Sequence, residues 1–190
     1  MKRVIWAAVT MMLVSLSAGN VLAGSNPHTR SGFFIGFNVG GGTADITIPN
    51  GSDTDREWGG AGNFRLGGAL KNNLLLSGES TAWLKDEDNS SLTLGLVAFE
   101  VTYFPGDQGL FVKAGVGFAS SSYEYDAGNG FTASKTENGF GLQAGAGYEW
   151  RLTRKFAMGP QVEYVYVNIG GDLVDTGNYF DATLGFNWYW

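Results

Sequence analysis

The chain has 190 residues, 12 basic and 18 acidic side chains for a formal net charge of −6, 30 glycines, 4 prolines, no cysteine and 14% aromatic residues. That length carries one domain of ordinary size, the negative balance removes nucleic acid and anionic membrane surfaces as partners drawn by long-range charge, and the missing cysteines remove a disulfide scaffold. So many glycines and aromatics describe neither a helix bundle nor a soluble core of leucine and isoleucine.

The N-terminus reads Met1, Lys2, Arg3, an apolar run from Val4 to Leu16, and then Ser17 to Ala23 ending Val21-Leu22-Ala23. A basic start, a short apolar centre and a small-residue end predict a signal peptide cleaved after Ala23. The run is shorter than the ~20 residues a membrane helix needs. The expected organisation is therefore a signal peptide over 1–23, a short periplasmic segment over 24–31 and a β-barrel over 32–190. Without Lys2 and Arg3, 10 basic residues face 18 acids, for a mature charge of −8. After Ala23 no stretch approaches membrane-helix length, so a membrane assignment rests on strands.

A barrel strand in lipid alternates apolar with small or polar residues over ~10 positions. The first predicted strand, Gly32 to Gly42, sets Phe33, Ile35, Phe37 and Val39 against Phe34, Gly36, Asn38 and Gly40. The second, about Gly62 to Leu70, sets Phe64, Leu66 and Leu70 against Asn63, Arg65 and Gly67. After Lys71-Asn72-Asn73 the third sets Leu74, Leu76, Ala82 and Leu84 against Ser77, Glu79 and Thr81. The fourth, Ser91 to Phe104, sets Val97, Phe99, Val101 and Tyr103 against Ala98, Glu100 and Thr102.

A turn at Pro105-Gly106-Asp107-Gln108-Gly109 leads to the fifth, with Leu110, Val112, Ala114, Val116 and Phe118 against Phe111, Lys113, Gly115 and Gly117. The sixth, Asn138 to Trp150, sets Phe140, Leu142, Ala144, Ala146, Tyr148 and Trp150 against Gly141, Gln143, Gly145, Gly147 and Glu149. The seventh, Phe156 to Val167, sets Met158, Val162, Tyr164 and Tyr166 against Gly159, Gln161 and Glu163. The eighth ends the protein, with Phe180, Ala182, Leu184, Phe186, Trp188 and Trp190 against Asp181, Thr183, Gly185 and Asn187.

Connections after strands two, four and six read as short, and those after one, three, five and seven as longer, the largest running from Ala119 to Glu137. Short periplasmic turns, long outer loops and an even strand count with both termini in the periplasm describe an outer-membrane barrel. The expected fold is all-β, an eight-stranded antiparallel up-and-down transmembrane β-barrel. Aromatic residues at the strand ends, Tyr103, Tyr148, Trp150, Phe156, Trp188 and Trp190 below and Phe140, Tyr164, Tyr166 and Phe180 above, form its girdles. A soluble barrel would turn the apolar face inward; here the inner face is mostly Gly, Ala, Ser and Thr, too small for a hydrophobic core.

The inward charges are the candidate functional residues. A hairpin centred on Asn72 sets Arg65 opposite Glu79, and a four-residue turn at Pro105 to Gln108 sets Glu100 opposite Lys113. Glu149, Glu163 and Asp181 add negative charge, with Gln143, Gln161 and Asn187 able to bridge. Charges in a narrow lumen need partners, and eight strands leave room only for side chains, so the network is expected to close the lumen. The alternative is that Arg65, Glu79, Glu100 and Lys113 exchange partners and gate a narrow path for ions or small solutes. Catalysis needs a nucleophile and a base set together. The one histidine, His28, sits beside Pro27 outside every strand, so no catalytic residue, cofactor or metal is assigned.

The outer loops carry Asp45, Asp53, Asp55, Glu57, Asp86, Glu87, Asp88, Glu124, Asp126, Glu137, Asp172 and Asp175 against Arg56, Lys85 and Lys135. Lys85-Asp86-Glu87-Asp88-Asn89 lacks EF-hand-like spacing and reads as a solvated loop rather than a Ca²⁺ or Mg²⁺ bridge to lipopolysaccharide. The acidic rim is the candidate surface for an external ligand. Lys71, Arg151, Arg154 and Lys155 fall on the periplasmic turns.

Gly32-Phe33-Phe34-Ile35-Gly36, Val101-Thr102-Tyr103-Phe104-Pro105-Gly106, Gly109 through Gly117, and Leu142-Gln143-Ala144-Gly145-Ala146-Gly147-Tyr148-Glu149 together resemble the OmpA/OmpX-like family of small outer-membrane barrels. The resemblance implies an outer-membrane location and contact with its lipid, lipopolysaccharide included. It also implies that the terminal strand, through Tyr179, Phe180, Leu184, Phe186, Trp188 and Trp190, is the signal read by the barrel-assembly machinery. Members act as anchors, adhesins, narrow pores or lipid-modifying enzymes, and fold does not choose among these. The residues favour a non-enzymatic structural or surface-interaction role, then the gated pore, then the enzyme.

Overall fold

The structure is a computed structural model that describes residues 30–48, 52–53, 56–87, 90–126, 132–172 and 174–190. The expected signal peptide and His28 lie outside the described residues. Eight long strands follow one another: β1 Phe33–Ile48, β2 Glu57–Lys71, β3 Leu74–Glu87, β4 Ser90–Tyr103, β5 Leu110–Asp126, β6 Thr132–Tyr148, β7 Phe156–Asn168 and β8 Thr176–Tyr189. Each pairs antiparallel with the next, and β8 returns to pair with β1 from Phe34↔Tyr189 to Thr47↔Thr176. The sheet is therefore a closed, eight-stranded barrel. Closure matters in lipid, where an open edge would strand backbone N–H and C=O groups without partners. Two-residue ladders, Ser52–Asp53 on β1 and Trp150–Arg151 on β7, decorate its two ends.

The period-two pattern sorts the faces as the sequence predicts. On β5 the outward residues Leu110, Val112, Ala114, Val116 and Phe118 are exposed, Phe118 by 83%, while Phe111 and Lys113 between them are buried. Leu110 to Phe118 covers eight rises of ~3.4 Å, which at a typical tilt of ~40° gives an apolar band about 20 Å tall. At its lower rim Phe156 packs on Trp188 with ring centroids 4.9 Å apart, Tyr148 on Trp150 at 5.6 Å and Phe33 on Trp190 at 6.0 Å. Among the described residues no helix is long and apolar enough to cross a membrane, so the crossing is made by strands.

Three expectations are corrected. The strands outrun their predicted ends. β1 continues to Ile48 rather than Gly42, β3 and β4 pair to Glu87↔Ser90, and β5 and β6 pair to Asp126↔Thr132. Most of the expected loop from Ala119 to Glu137 is thus hairpin. The apolar half of the alternation stops where lipid stops, whereas backbone pairing continues into water with Ser120, Ser122 and Thr136 on the outer face.

The interior also holds two apolar layers that the inner-face reading excluded. One gathers Phe34, Leu75, Phe104, Phe111, Ala157 and Tyr189 near the periplasmic end. The other, nearer the outside, is built around Trp83, Leu94, Leu96, Val165, Val167 and Tyr179. Their members hide in runs such as Leu74-Leu75-Leu76 and Leu110-Phe111-Val112, where the apolar residue between two lipid-facing neighbours points inward.

The third correction concerns the β4–β5 register. Thr102, not Glu100, lies opposite Lys113, and Glu100 lies opposite Gly115. The turn is longer than four residues: a 3₁₀ segment at Pro105–Asp107, with Gly106 at φ 75°, is followed by Gln108 and Gly109 before pairing resumes. Left-handed φ values of that kind favour glycine.

Candidate functional site in the barrel lumen

Between the two apolar layers lies a layer of charge. Lys113 extends from β5 and is fully buried, with its Nζ 2.8 Å from Glu79 Oε1, 2.9 Å from Glu163 Oε2 and 3.1 Å from Glu100 Oε2. Arg65 on β2 reaches Glu100 Oε1 at 3.5 Å and donates to Asn187 Oδ1 at 3.0 Å. Its guanidinium carbon lies 5.3 Å and 5.9 Å from the ring centroids of Phe34 and Phe111, so the periplasmic apolar layer cushions it. Glu100 also accepts from Thr102 Oγ1 at 2.8 Å, Ser77 Oγ at 3.1 Å and Gln143 Nε2 at 3.2 Å. A carboxylate held by two cations and three neutral donors is well compensated for loss of water.

The periplasmic end is closed by a residue from outside the barrel wall. Arg30 is buried, forms an ion pair with Glu149 at 3.2 Å, donates to the Gln108 carbonyl at 3.0 Å, and lies 3.4 Å from the Phe104 ring centroid. Its own backbone N–H donates to Asn72 Oδ1 at 2.7 Å. Glu149 accepts further bonds from the Tyr189 hydroxyl at 2.6 Å and Asn187 Nδ2 at 3.1 Å, while Arg151 stacks over Tyr189 at 4.0 Å. At the other end Trp83 Nε1 donates to the Gly42 carbonyl at 3.2 Å, fixing the indole across the lumen.

The sequence-derived residues fall out as follows. Arg65 stands directly opposite Glu79, yet its ion partner is Glu100, and Glu79 is taken by Lys113. Glu100 and Lys113 meet on a diagonal rather than across one rung. Glu163 joins Lys113, Asp181 faces Glu163 across the β7–β8 ladder, and Glu149 belongs to the periplasmic floor. Phe180, Leu184, Trp188 and Trp190 of the terminal strand are exposed on the outer wall and Phe186 is half-buried there, whereas Tyr179 turns inward with its hydroxyl 3.4 Å from Thr81.

Sequence reading missed Arg30 and the burial of Arg151. Arg30 precedes β1, with Gly32 at φ 73° between them, so the inward parity of Phe34, Gly36 and Asn38 does not carry back to it. At the outer rim Arg56 pairs with Asp45, Lys85 with Glu57, and Lys135 with Glu137 at 2.9 Å and Asp172 at 3.2 Å. The rim's three basic residues are thus engaged by acids of the rim itself, in exposed or half-buried pairs, the exposed ones worth little individually.

A family model described as "Outer membrane protein beta-barrel domain" matches residues 7–188. No curated protein sequence matches the chain. Among solved structures the chain is similar to Neisserial surface protein A, NspA, with a TM-score of 0.59, 17% identity, and coverage of 85% of this chain and 99% of that one. It is also similar to Ail, the attachment invasion locus protein of Yersinia pestis, with a TM-score of 0.53, 13% identity, and coverage of 83% and 99%. Ail in complex with the heparin analogue sucrose octasulfate gives 0.55 and 13%, with coverage of 82% and 99%. At such identities the likeness is one of fold.

Proposed function

The chain belongs to the outer membrane protein β-barrel domain family, and from that premise we propose that it acts at the cell surface as a structural, adhesin-like barrel without catalysis. The observation that supports this reading is the filled lumen. Apolar side chains above, a compensated charge layer in the middle and Arg30 below occupy the interior, so the strands above the lipid band are the part offered to a partner. There β6 pairs with β5 out to Asp126↔Thr132 but meets β7 only from Phe140 downward. The upper part of β6 is a sheet edge, a geometry that accepts an extended segment through main-chain hydrogen bonds. The connection after β7 leans on it, with the Asp172 N–H donating to Glu137 Oε1 at 2.9 Å.

The acidic rim selects a basic partner by complementary charge. A polyanion such as the heparin analogue in the Ail complex suits that rim poorly, so its ligand is not carried over. Export through a signal peptide over 1–23, recognition of Tyr179 to Trp190 by the assembly machinery, and contact with lipopolysaccharide belong to the same proposal. Bacteria displaying the chain should be captured on a surface coated with a lysine-rich protein, less so as salt rises. Capture should fall when Asp86, Glu124, Asp172 and Asp175 become amides; capture on heparin instead contradicts the charge argument.

A second reading, the narrow gated path, draws on one observation: the Lys113 ammonium is shared among Glu79, Glu100 and Glu163 beside Arg65, so partners can exchange locally. Lipid-modifying catalysis has no such support.

A further inference from the structure

The periplasmic turns carry charge that the lumen does not use. Arg154 and Lys155 stand side by side in the β6–β7 connection, both exposed. That connection is tightly built. The Leu152 and Thr153 N–H groups both donate to the Phe156 carbonyl at 3.1 Å, and the Lys155 carbonyl accepts from the Tyr189 N–H at 2.8 Å. Thr153 Oγ1 accepts from the N–H of Lys155 at 3.2 Å and from that of Phe156 at 2.9 Å. These backbone groups are engaged within the turn and with β8, so the turn presents two neighbouring cations on a fixed frame.

Position adds to this. Lys155 adjoins Phe156, whose ring packs on Trp188 in the lower aromatic girdle, and Leu152 in the same turn is exposed. The two cations therefore leave the barrel at the height where an aromatic girdle meets lipid headgroups. Their charge is also unmatched. Among the described residues neither Arg154 nor Lys155 has a carboxylate in ion-pair distance, whereas each of the three outer-rim cations does. The acids of the outer loops lie beyond the apolar band of about 20 Å, twice the ~10 Å over which salt screens exposed charges. The net charge of the chain thus acts against anionic surfaces at long range without deciding what this end binds.

We propose that the β6–β7 turn binds the headgroup of an anionic phospholipid, such as phosphatidylglycerol, in the periplasmic leaflet. Consecutive Cα atoms are about 3.8 Å apart, so two side chains of this length reach one phosphodiester, Arg154 through its planar fork and Lys155 as a point charge. Phe156 and Trp188 border the glycerol and the first carbons of the acyl chains. A zwitterionic headgroup brings its own cation and gains less from the pair. The inference rests on the outer-membrane placement of the barrel and not on the surface role proposed above.

The test folds the mature chain into nanodiscs of equal phosphatidylglycerol and phosphatidylcholine, with folding checked by heat-modifiable gel mobility. Native mass spectrometry then counts the lipids that stay on the released barrel. The native chain should keep phosphatidylglycerol over phosphatidylcholine, on the order of fivefold for each cation engaged. Arg154→Gln with Lys155→Gln should bring the two lipids to parity. Arg154→Lys with Lys155→Arg, which keeps the charge, and Lys85→Gln with Lys135→Gln at the far end should leave the preference in place. A folded native barrel that retains neither lipid, or both alike, overturns the proposal. So does a preference that survives Arg154→Gln with Lys155→Gln or is lost with Lys85→Gln and Lys135→Gln.

Discussion

Replacing Lys113 with methionine tests the charge layer where it is most concentrated. The side chain keeps its length and apolar stem but loses an ammonium that lies within 3.1 Å of Glu79, Glu100 and Glu163 at once. Removing one partner from a buried ion pair costs about 3–5 kcal/mol, because the other charge is left behind without water. Here three carboxylates are left, with Arg65 beside only one of them; proton uptake caps the loss, so the expected cost is at the upper end, about 4–5 kcal/mol. The assay is reversible urea unfolding of the mature chain in lipid vesicles, followed by the fluorescence of its five tryptophans, Trp58, Trp83, Trp150, Trp188 and Trp190. Adding Glu79→Gln to Lys113→Met should recover part of the loss, since the second change removes one of the stranded charges. A loss below about 1 kcal/mol, the worth of an exposed surface pair, would refute the claim that this layer is dry and compensated.

Two further predictions concern the ends and the wall. Ser77 is buried in the lumen and the chain has no cysteine, so Ser77→Cys should react slowly with a small maleimide in the folded barrel. Adding Arg30→Ala, which removes the floor, should raise that rate several-fold; an unchanged rate would mean that Arg30 closes nothing. On the outer wall, Ala114→Arg sits near the middle of the apolar band and should cost about 2–4 kcal/mol of stability in vesicles, while Ser122→Arg, eight residues higher on the same face of β5, should cost about 0–1 kcal/mol. Equal costs at the two sites would contradict the placement of the lipid band.

How much was legible follows from what each signal reports. Lipid contact imposes the alternation of Phe33, Ile35, Phe37 and Val39, so strand number, order and facing read directly from residues. Arg65 does stand opposite Glu79 as a hairpin centred on Asn72 requires, but the register comes from the two-residue Asn72-Asn73 turn together with a bulge between Ala69 and Lys71, without which Arg65 would face Ser80. The Pro105 turn gives no such match, because its 3₁₀ segment and Gly106 absorb extra residues. Ion partners were legible only in part: Glu100 and Lys113 do meet, though on a diagonal, while Arg65 pairs with Glu100 and not with Glu79. A long side chain such as Lys113 reaches past its own rung, so the pairs that form are diagonal and cross-lumen, set by the width of the closed barrel and not by any one hairpin. Above the lipid band the outward residues turn polar while pairing persists, which is why the upper β5–β6 hairpin reads as loop. Arg30 lies before the first paired residue, where alternation has no ladder to support it.

The central claim is that the lumen is filled and compensated from end to end. Planar-bilayer recording on the folded mature chain at neutral pH tests it most directly. The account predicts a silent bilayer, with no discrete conductance steps from the native barrel. Reproducible single-channel steps that shift in Glu79→Gln would contradict it, because they would require an ion path through the layer that Lys113 and Arg65 are argued to close.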